Sequence, residues 1–197
     1  MLLWLGIVLI VAGVAAIATD RWSSHAIYEH VGARFWRFLD RTTHLAKASH
    51  WLIAAALAYL IAWLIGAETA RRYALTFVAS IAIGSTILHA SKLLLGRRRP
   101  RDDMEMGLYG FEFLSFNLDR NSFPSGHALT ITCVALIASV IWPAMWPLWF
   151  AIAAWLALTR ALLTAHYLSD VLVGAGIGMI CAREAALYLL PHTPGWF

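Results

Sequence analysis

Three short stretches of the sequence hold the residues best suited to chemistry. In the first, Lys92 and Arg99 stand seven residues apart, about two helical turns. If the helix runs through Gly96, both cations point the same way and suit an anion. In the second, Pro124-Ser125-Gly126-His127 reads as a turn followed by a helix start. Glycine lets backbone approach a ligand closely, N–H groups at a helix N-terminus bind phosphate well, and Ser125 adds a hydroxyl donor. In the third, Arg160 offers a planar fork that can hold two phosphate oxygens at once. His166 and Asp170 are four apart and share a face of any helix that contains them. A carboxylate bonded to one imidazole nitrogen fixes the tautomer and leaves the other nitrogen free to attack. His127 is then placed to protonate a leaving group.

Each of these features alone has a plainer reading. An i,i+4 His–Asp pair often only stabilises a helix, and the Arg97-Arg98-Arg99 run reads as an anchor at a membrane surface. His50 and His89 read as interfacial residues, and Cys133 and Cys181, which lack zinc-ligand or CxxC spacing, as small buried hydrophobes. It is the joint presence of the three stretches, in this order and at one depth, that makes a site.

The elements that must position them are membrane helices. Of 197 residues, 61% are hydrophobic and 13% charged, with a mean hydropathy of +0.70. A soluble domain runs near half apolar and a quarter charged, so the composition excludes a disordered chain and argues against a soluble enzyme. The pattern predicts an all-α integral membrane bundle of six transmembrane helices forming one domain over residues 1–197, with spans at about 2–18, 51–67, 74–95, 126–142, 146–163 and 171–190. The first span has an alternative reading as a signal peptide, since Ala16-Ile17-Ala18 has the look of a cleavage site, but it lacks a basic leader. Residues 19–50 are either an interfacial amphipathic helix carrying Arg34, Arg37 and Arg41 among Phe35, Trp36 and Phe38, or a solvated connector. Gly174, Gly176 and Gly178 make a surface for close helix packing. With six spans, the long 19–50 and 96–125 loops and the 164–170 turn share one membrane face, and the site lies there. No basic stretch stands clear of the apolar segments, so nucleic acid is not an expected partner.

Lys92-x6-Arg99-Pro100, Pro124-Ser125-Gly126-His127 and Arg160-x5-His166-x3-Asp170 resemble the three signature motifs of the type 2 phosphatidic acid phosphatase family, whose superfamily includes glucose-6-phosphatases and vanadium haloperoxidases. The resemblance implies a catalytic set of His166 as nucleophile forming a phospho-histidine, Asp170 orienting it, and His127 as general acid for the leaving alcohol. It implies that Lys92, Arg99, Arg160, Ser125 and the Gly126 N–H hold the phosphoryl oxygens. No metal and no cofactor are implied, and the pocket has cations where a metal site would need carboxylates. Two positions depart from the usual pattern: Thr159 stands where Ser usually precedes the arginine, and Leu168 where many members have Pro.

The implied activity is hydrolysis of a membrane lipid phosphate, with phosphatidic acid, phosphatidylglycerol phosphate, polyprenyl diphosphate and a phosphorylated glycolipid such as lipid A as candidates. A phosphotransferase using the same intermediate, a transporter for an anionic lipid or phosphate, and a silent lipid-binding member are the alternatives. Twelve of the 15 Lys and Arg residues fall on the site face, which the positive-inside rule would place in the cytoplasm. The resemblance instead implies an inner-membrane protein with its site facing the periplasm.

Overall fold

The computed structural model describes residues 1–114 and 120–197; residues 115–119 of the 96–125 loop lie outside the described residues. The described residues form α1 (Leu2–Ala16), α2 (Asp20–His30), α3 (Ala33–Thr43), α4 (Ala48–Leu64), α5 (Glu68–Leu95), α6 (Pro100–Met106), α7 (Gly126–Ile141), α8 (Trp146–Leu162) and α9 (Leu168–Leu189). Five helical stretches are long and apolar enough to cross a membrane: Leu2–His30, Ala33–Leu64, Glu68–Leu95, Pro143–Leu162 and Leu168–Leu189. The protein is therefore an all-helical, multi-pass membrane protein.

The remaining apolar helix, α7, has 16 residues and is about 24 Å long, short of a bilayer core of about 30 Å. It runs through the middle of the bundle, with nearly every residue from Ala128 to Val140 buried. Helices α9, α8, α5 and α4 surround it, so protein rather than lipid faces most of its length.

α9 packs against α1, α5 and α7. Here the glycines do the work assigned to them, but on two faces rather than one. A Cβ on Gly174 would sit 2.3 Å from the Ser125 carbonyl oxygen, and one on Gly178 would sit 2.5 Å from that of Leu129. Both therefore let α9 touch the α7 segment backbone to backbone. Gly176 instead faces α1, where a Cβ would meet the Gly6 carbonyl oxygen at 2.7 Å.

Several expected boundaries move. α5 begins at Glu68 rather than at 74, so Arg71 and Arg72 are not loop residues: they lie in its first turns and pair with Glu68. Its other end stops at Leu95, where Gly96 adopts φ +50, the left-handed conformation of a helix C-cap. The helix does not continue to Arg99, and the shared-face argument for Lys92 and Arg99 fails. The 19–50 segment holds two helices. α3 is the amphipathic one, with Phe35 and Phe38 against Trp155 of α8 and Arg34, Arg37 and Arg41 exposed.

Because Gly178 meets backbone that cannot swing aside, Gly178→Ala should destabilise the fold by about 1–3 kcal/mol. The check is the thermal unfolding midpoint in detergent, with Gly195→Ala, whose Cβ would meet nothing within 4 Å, as the unchanged reference.

Candidate active site

The three motif stretches meet at one end of the bundle, each placed by a different local device. The α8–α9 turn brings Arg160 and His166 together. The Arg160 carbonyl accepts the N–H groups of both Ala165 and His166, at 3.1 Å each, so the chain folds back on the end of α8. Thr164, within that turn, holds φ +51, a left-handed conformation that a β-branched residue rarely adopts. His166 therefore precedes α9 instead of lying on it. Leu168 is the first helical residue of α9, a position where proline is tolerated, which is why Leu or Pro there leaves the turn intact. Asp170 lies in the first turn and accepts the Tyr167 N–H at 2.9 Å.

His166 is buried, and its ring differs in one respect from the sequence expectation. The closest partner of Nδ1 is the Ser122 carbonyl oxygen at 2.8 Å, while Asp170 Oδ2 is 3.7 Å away. Both groups are acceptors, so Nδ1 carries the proton and Nε2 keeps its lone pair. Asp170 acts on the ring through its charge, and Ser122 supplies the hydrogen bond. Burial holds the His166 imidazole below its ordinary pKa; the neighbouring Asp170 opposes this, and Arg99 and Arg160 reinforce it.

Ser125 is the N-cap of α7, with Gly126 and His127 in its first turn. The Ser125 N–H donates to the Asp170 carbonyl at 3.0 Å, which ties this stretch to α9. His127 is within electrostatic reach of Arg160, His166 and Arg99. Arg99 reaches the site from the start of α6, where its Nε and Nη2 donate to Asn121 Oδ1 at 3.1 and 2.7 Å. Lys92, in the last turn of α5, is within electrostatic reach of Arg99 and Asp170. Arg160 Nη1 donates to Thr43 Oγ1 at the end of α3, 3.2 Å away. The structure thus brings together all eight residues singled out in the sequence. It leaves His89 and His50 exposed.

Two buried donors at this site, Ser125 Oγ and Arg160 Nε, have no hydrogen-bond partner among the described residues. Buried polar groups are nearly always paired, and both donors suit a phosphoryl oxygen. The Thr159 hydroxyl is engaged elsewhere: it donates to the Leu156 carbonyl at 2.6 Å and lies 3.0 Å from Thr43 Oγ1. The Ser-to-Thr departure therefore falls on a helix contact.

Sequence reasoning missed four residues. Arg97, read as part of a surface anchor, is fully buried and bonded to Asp170, Ser169 and Asp20. Asp20, just past the first expected span, is its second carboxylate. Ser122 holds both His166 and, at 2.6 Å, Asp170 Oδ2. Asn121 orients Arg99. The available signal was Gly96, a residue that commonly ends a helix, so the arginines beyond it need not lie on the outer surface of α5.

The sequence profile of the PAP2 superfamily matches residues 73–193, more than half of the chain. Two relatives named lipid A 1-phosphatase are similar over 125 residues. That of Rhizobium etli is 32% identical, covering 59% of this chain and 53% of its own length. That of Rhizobium johnstonii is 29% identical, covering 59% and 51%. The chain thus spans about half the length of these relatives. Among solved structures, a transmembrane PAP2-type phosphatidylglycerolphosphate phosphatase from Bacillus subtilis superposes with a TM-score of 0.66 at 19% identity, covering 95% of this chain and 93% of the other. Aquifex aeolicus LpxE superposes with a TM-score of 0.59 at 19% identity, covering 84% and 93%. Both structures share the fold.

The depressed His166 pKa gives a stability prediction. Folded His166 holds a proton more weakly than the same group in the unfolded chain, whose ordinary value is 6.5. Below that pH the unfolded chain takes up the extra proton, so stability present above it is lost as pH falls. The drop in thermal midpoint from pH 7.5 to 5.5 should therefore be larger in the native protein than in His166→Gln, measured side by side in detergent.

Proposed function

Because the chain belongs to the PAP2 superfamily, we propose that it is a metal-independent membrane lipid phosphatase working through a phospho-histidine at His166. The observation that supports this most is His166 itself, a buried imidazole with Nδ1 committed to Ser122 and Nε2 free, set among Arg99, Arg160 and His127.

In this reading Nε2 attacks phosphorus as the bond to the lipid oxygen breaks, and His127 gives that oxygen its proton. Asp170 stabilises the positive charge that the phosphorylated imidazole carries. Water then attacks phosphorus, His127 takes a proton from it, the P–N bond breaks, and inorganic phosphate leaves with His166 neutral again. Lys92, Arg99 and Arg160 hold the non-bridging oxygens as charge develops on them. Ser125 Oγ and the Gly126 N–H at the start of α7 complete the cradle. The substrate class is a lipid phosphate monoester or diphosphate. The activity named for the two Rhizobium relatives puts a phosphorylated glycolipid of the lipid A kind first on the list.

The same reading takes α7 as a sixth crossing, shielded by its neighbours along its length, and sets the site on the extracytoplasmic face. The positive-inside count carries less weight than its size suggests. Lys92, Arg97, Arg99 and Arg160 are built into the site, and Arg34, Arg37 and Arg41 lie exposed on the amphipathic α3, where they suit the anionic headgroups of a lipid substrate.

The test is phosphate release from a panel of lipid phosphates by the purified protein in detergent with EDTA. Release should persist in the chelator and be inhibited by vanadate, a trigonal-bipyramidal mimic of the transferring phosphoryl group. His166→Ala should lose at least about a thousandfold in rate and His127→Ala about a hundredfold or more, while His89→Ala stays active. A folded protein that releases phosphate from no lipid would sink the proposal.

A further inference from the structure

Arg97 takes no part in the reaction just proposed, yet it is the most completely enclosed cation of the described chain. Asp20, Arg97, Ser169 and Asp170 are all 0% exposed. Arg97 Nη1 donates to Asp170 Oδ1 and Ser169 Oγ, each at 2.6 Å, and Nη2 to Asp20 Oδ2 at 2.8 Å. The guanidinium carbon lies 4.1 Å from the centre of the Tyr167 ring and 4.7 Å from that of Phe111. Asp20 is seated in turn by Ser169, whose N–H donates to Oδ1 at 3.2 Å and whose hydroxyl donates to Oδ2.

This arrangement sets the rotation of the Asp170 carboxylate. With Oδ1 taken by Arg97, Oδ2 is the oxygen left to Ser122, Tyr167 and His166. It also sets the charge behind His166. One guanidinium with one carboxylate would be neutral and would put little field on the imidazole. The second carboxylate, Asp20, returns the cluster to a net charge of minus one, which complements the cationic imidazole of a phospho-histidine. Asp20 lies outside residues 73–193, so α2 supplies a part of the site that the family-matched region lacks.

We infer that Arg97, seated by Asp20, is a positioning residue that orients the Asp170 carboxylate toward His166 and sets the net negative charge behind it. The inference rests on the phosphatase reading above for its catalytic meaning. Lys92, Arg99, Arg160 and His127 face His166 or Asp170 from the phosphate side, and Tyr109 and Asp103 face Tyr167.

The experiment compares Asp20→Asn, Arg97→Gln and Arg97→Lys with the native full chain in detergent. Two readouts are taken: the acid limb of kcat on a lipid phosphate, and the titration midpoint of His166 by 15N-histidine NMR, assigned by its loss in His166→Gln. Asp20→Asn removes a negative charge and should move both downward by about one pH unit, whereas Arg97→Gln removes a positive charge and should move both upward by about as much. Arg97→Lys keeps the charge and should stay near the native midpoint. In Asp20→Asn kcat should fall about tenfold with KM within about twofold.

A merely structural role would lower the yield or unfolding midpoint of the variants without opposite displacements. Midpoints that stay fixed, or that move the same way in both variants, would overturn the inference. Should Arg97→Gln not fold, an unmoved Asp20→Asn would overturn it alone. A native protein with no lipid phosphatase activity would instead remove the phosphatase reading, leaving the NMR midpoints as the measure of the charge cluster.

Discussion

A full charge inside an apolar bundle stays charged only where opposite charge and hydrogen bonds meet it. In this protein that meeting point is Arg97, held by two buried carboxylates and two aromatic rings. Three separate parts of the chain converge on it: the start of α2 through Asp20, the segment after α5 through Arg97 itself, and the start of α9 through Ser169 and Asp170. Breaking a buried ion pair by deleting one partner typically costs about 3–5 kcal/mol, a sizeable share of the stability of an ordinary domain. The cluster thus fixes the position of α2 against the bundle and, through Asp170, the place where the imidazole of His166 can sit. Its backbone takes part as well, since the Arg97 carbonyl accepts the Ser122 N–H at 3.0 Å, and Ser122 is the residue that holds the His166 ring.

Much of this was legible in the sequence because the membrane makes polar residues conspicuous. Against 61% hydrophobic residues, Lys92, Arg99, Arg160, His127, His166 and Asp170 stood out, and their order in the chain carried the resemblance to a family. Apolar run length was equally informative about the helices, since a bilayer sets a minimum span. What the sequence could not show was how the chain passes between those marks. The break at Gly96 depends on a left-handed backbone that a helical reading passes over, so Lys92 and Arg99 were put on one helix. In the structure Arg99 comes instead from the start of α6 and is braced by Asn121.

Arg97 and Asp20 were overlooked for a related reason. A basic run beside a span and an acid ending one are what interfaces ordinarily contain, and nothing in residue type separates an arginine that faces headgroups from one that turns inward. Only the long-range pairing of Asp20 with Arg97, 77 residues away, distinguishes them. Likewise Ser122 acts on His166 through its backbone carbonyl, a group every residue possesses and no sequence pattern marks. The α3 helix, whose amphipathic pattern was legible, turned out to do more than lie at an interface, because its final residue Thr43 holds Arg160.

The close approach permitted by Gly174 has a further consequence. With no side chain between them, the Ser125 backbone rests on α9 and is bonded to the Asp170 carbonyl. The cradle at the start of α7 and the carboxylate behind the histidine therefore share one backbone framework, and neither can drift without carrying the other. α3, by contrast, braces Arg160 through a single side chain, that of Thr43. The fold thus joins the start of α7 and the start of α9 into one rigid frame and leaves Arg160 steadied from outside it by a hydroxyl that can be exchanged by itself.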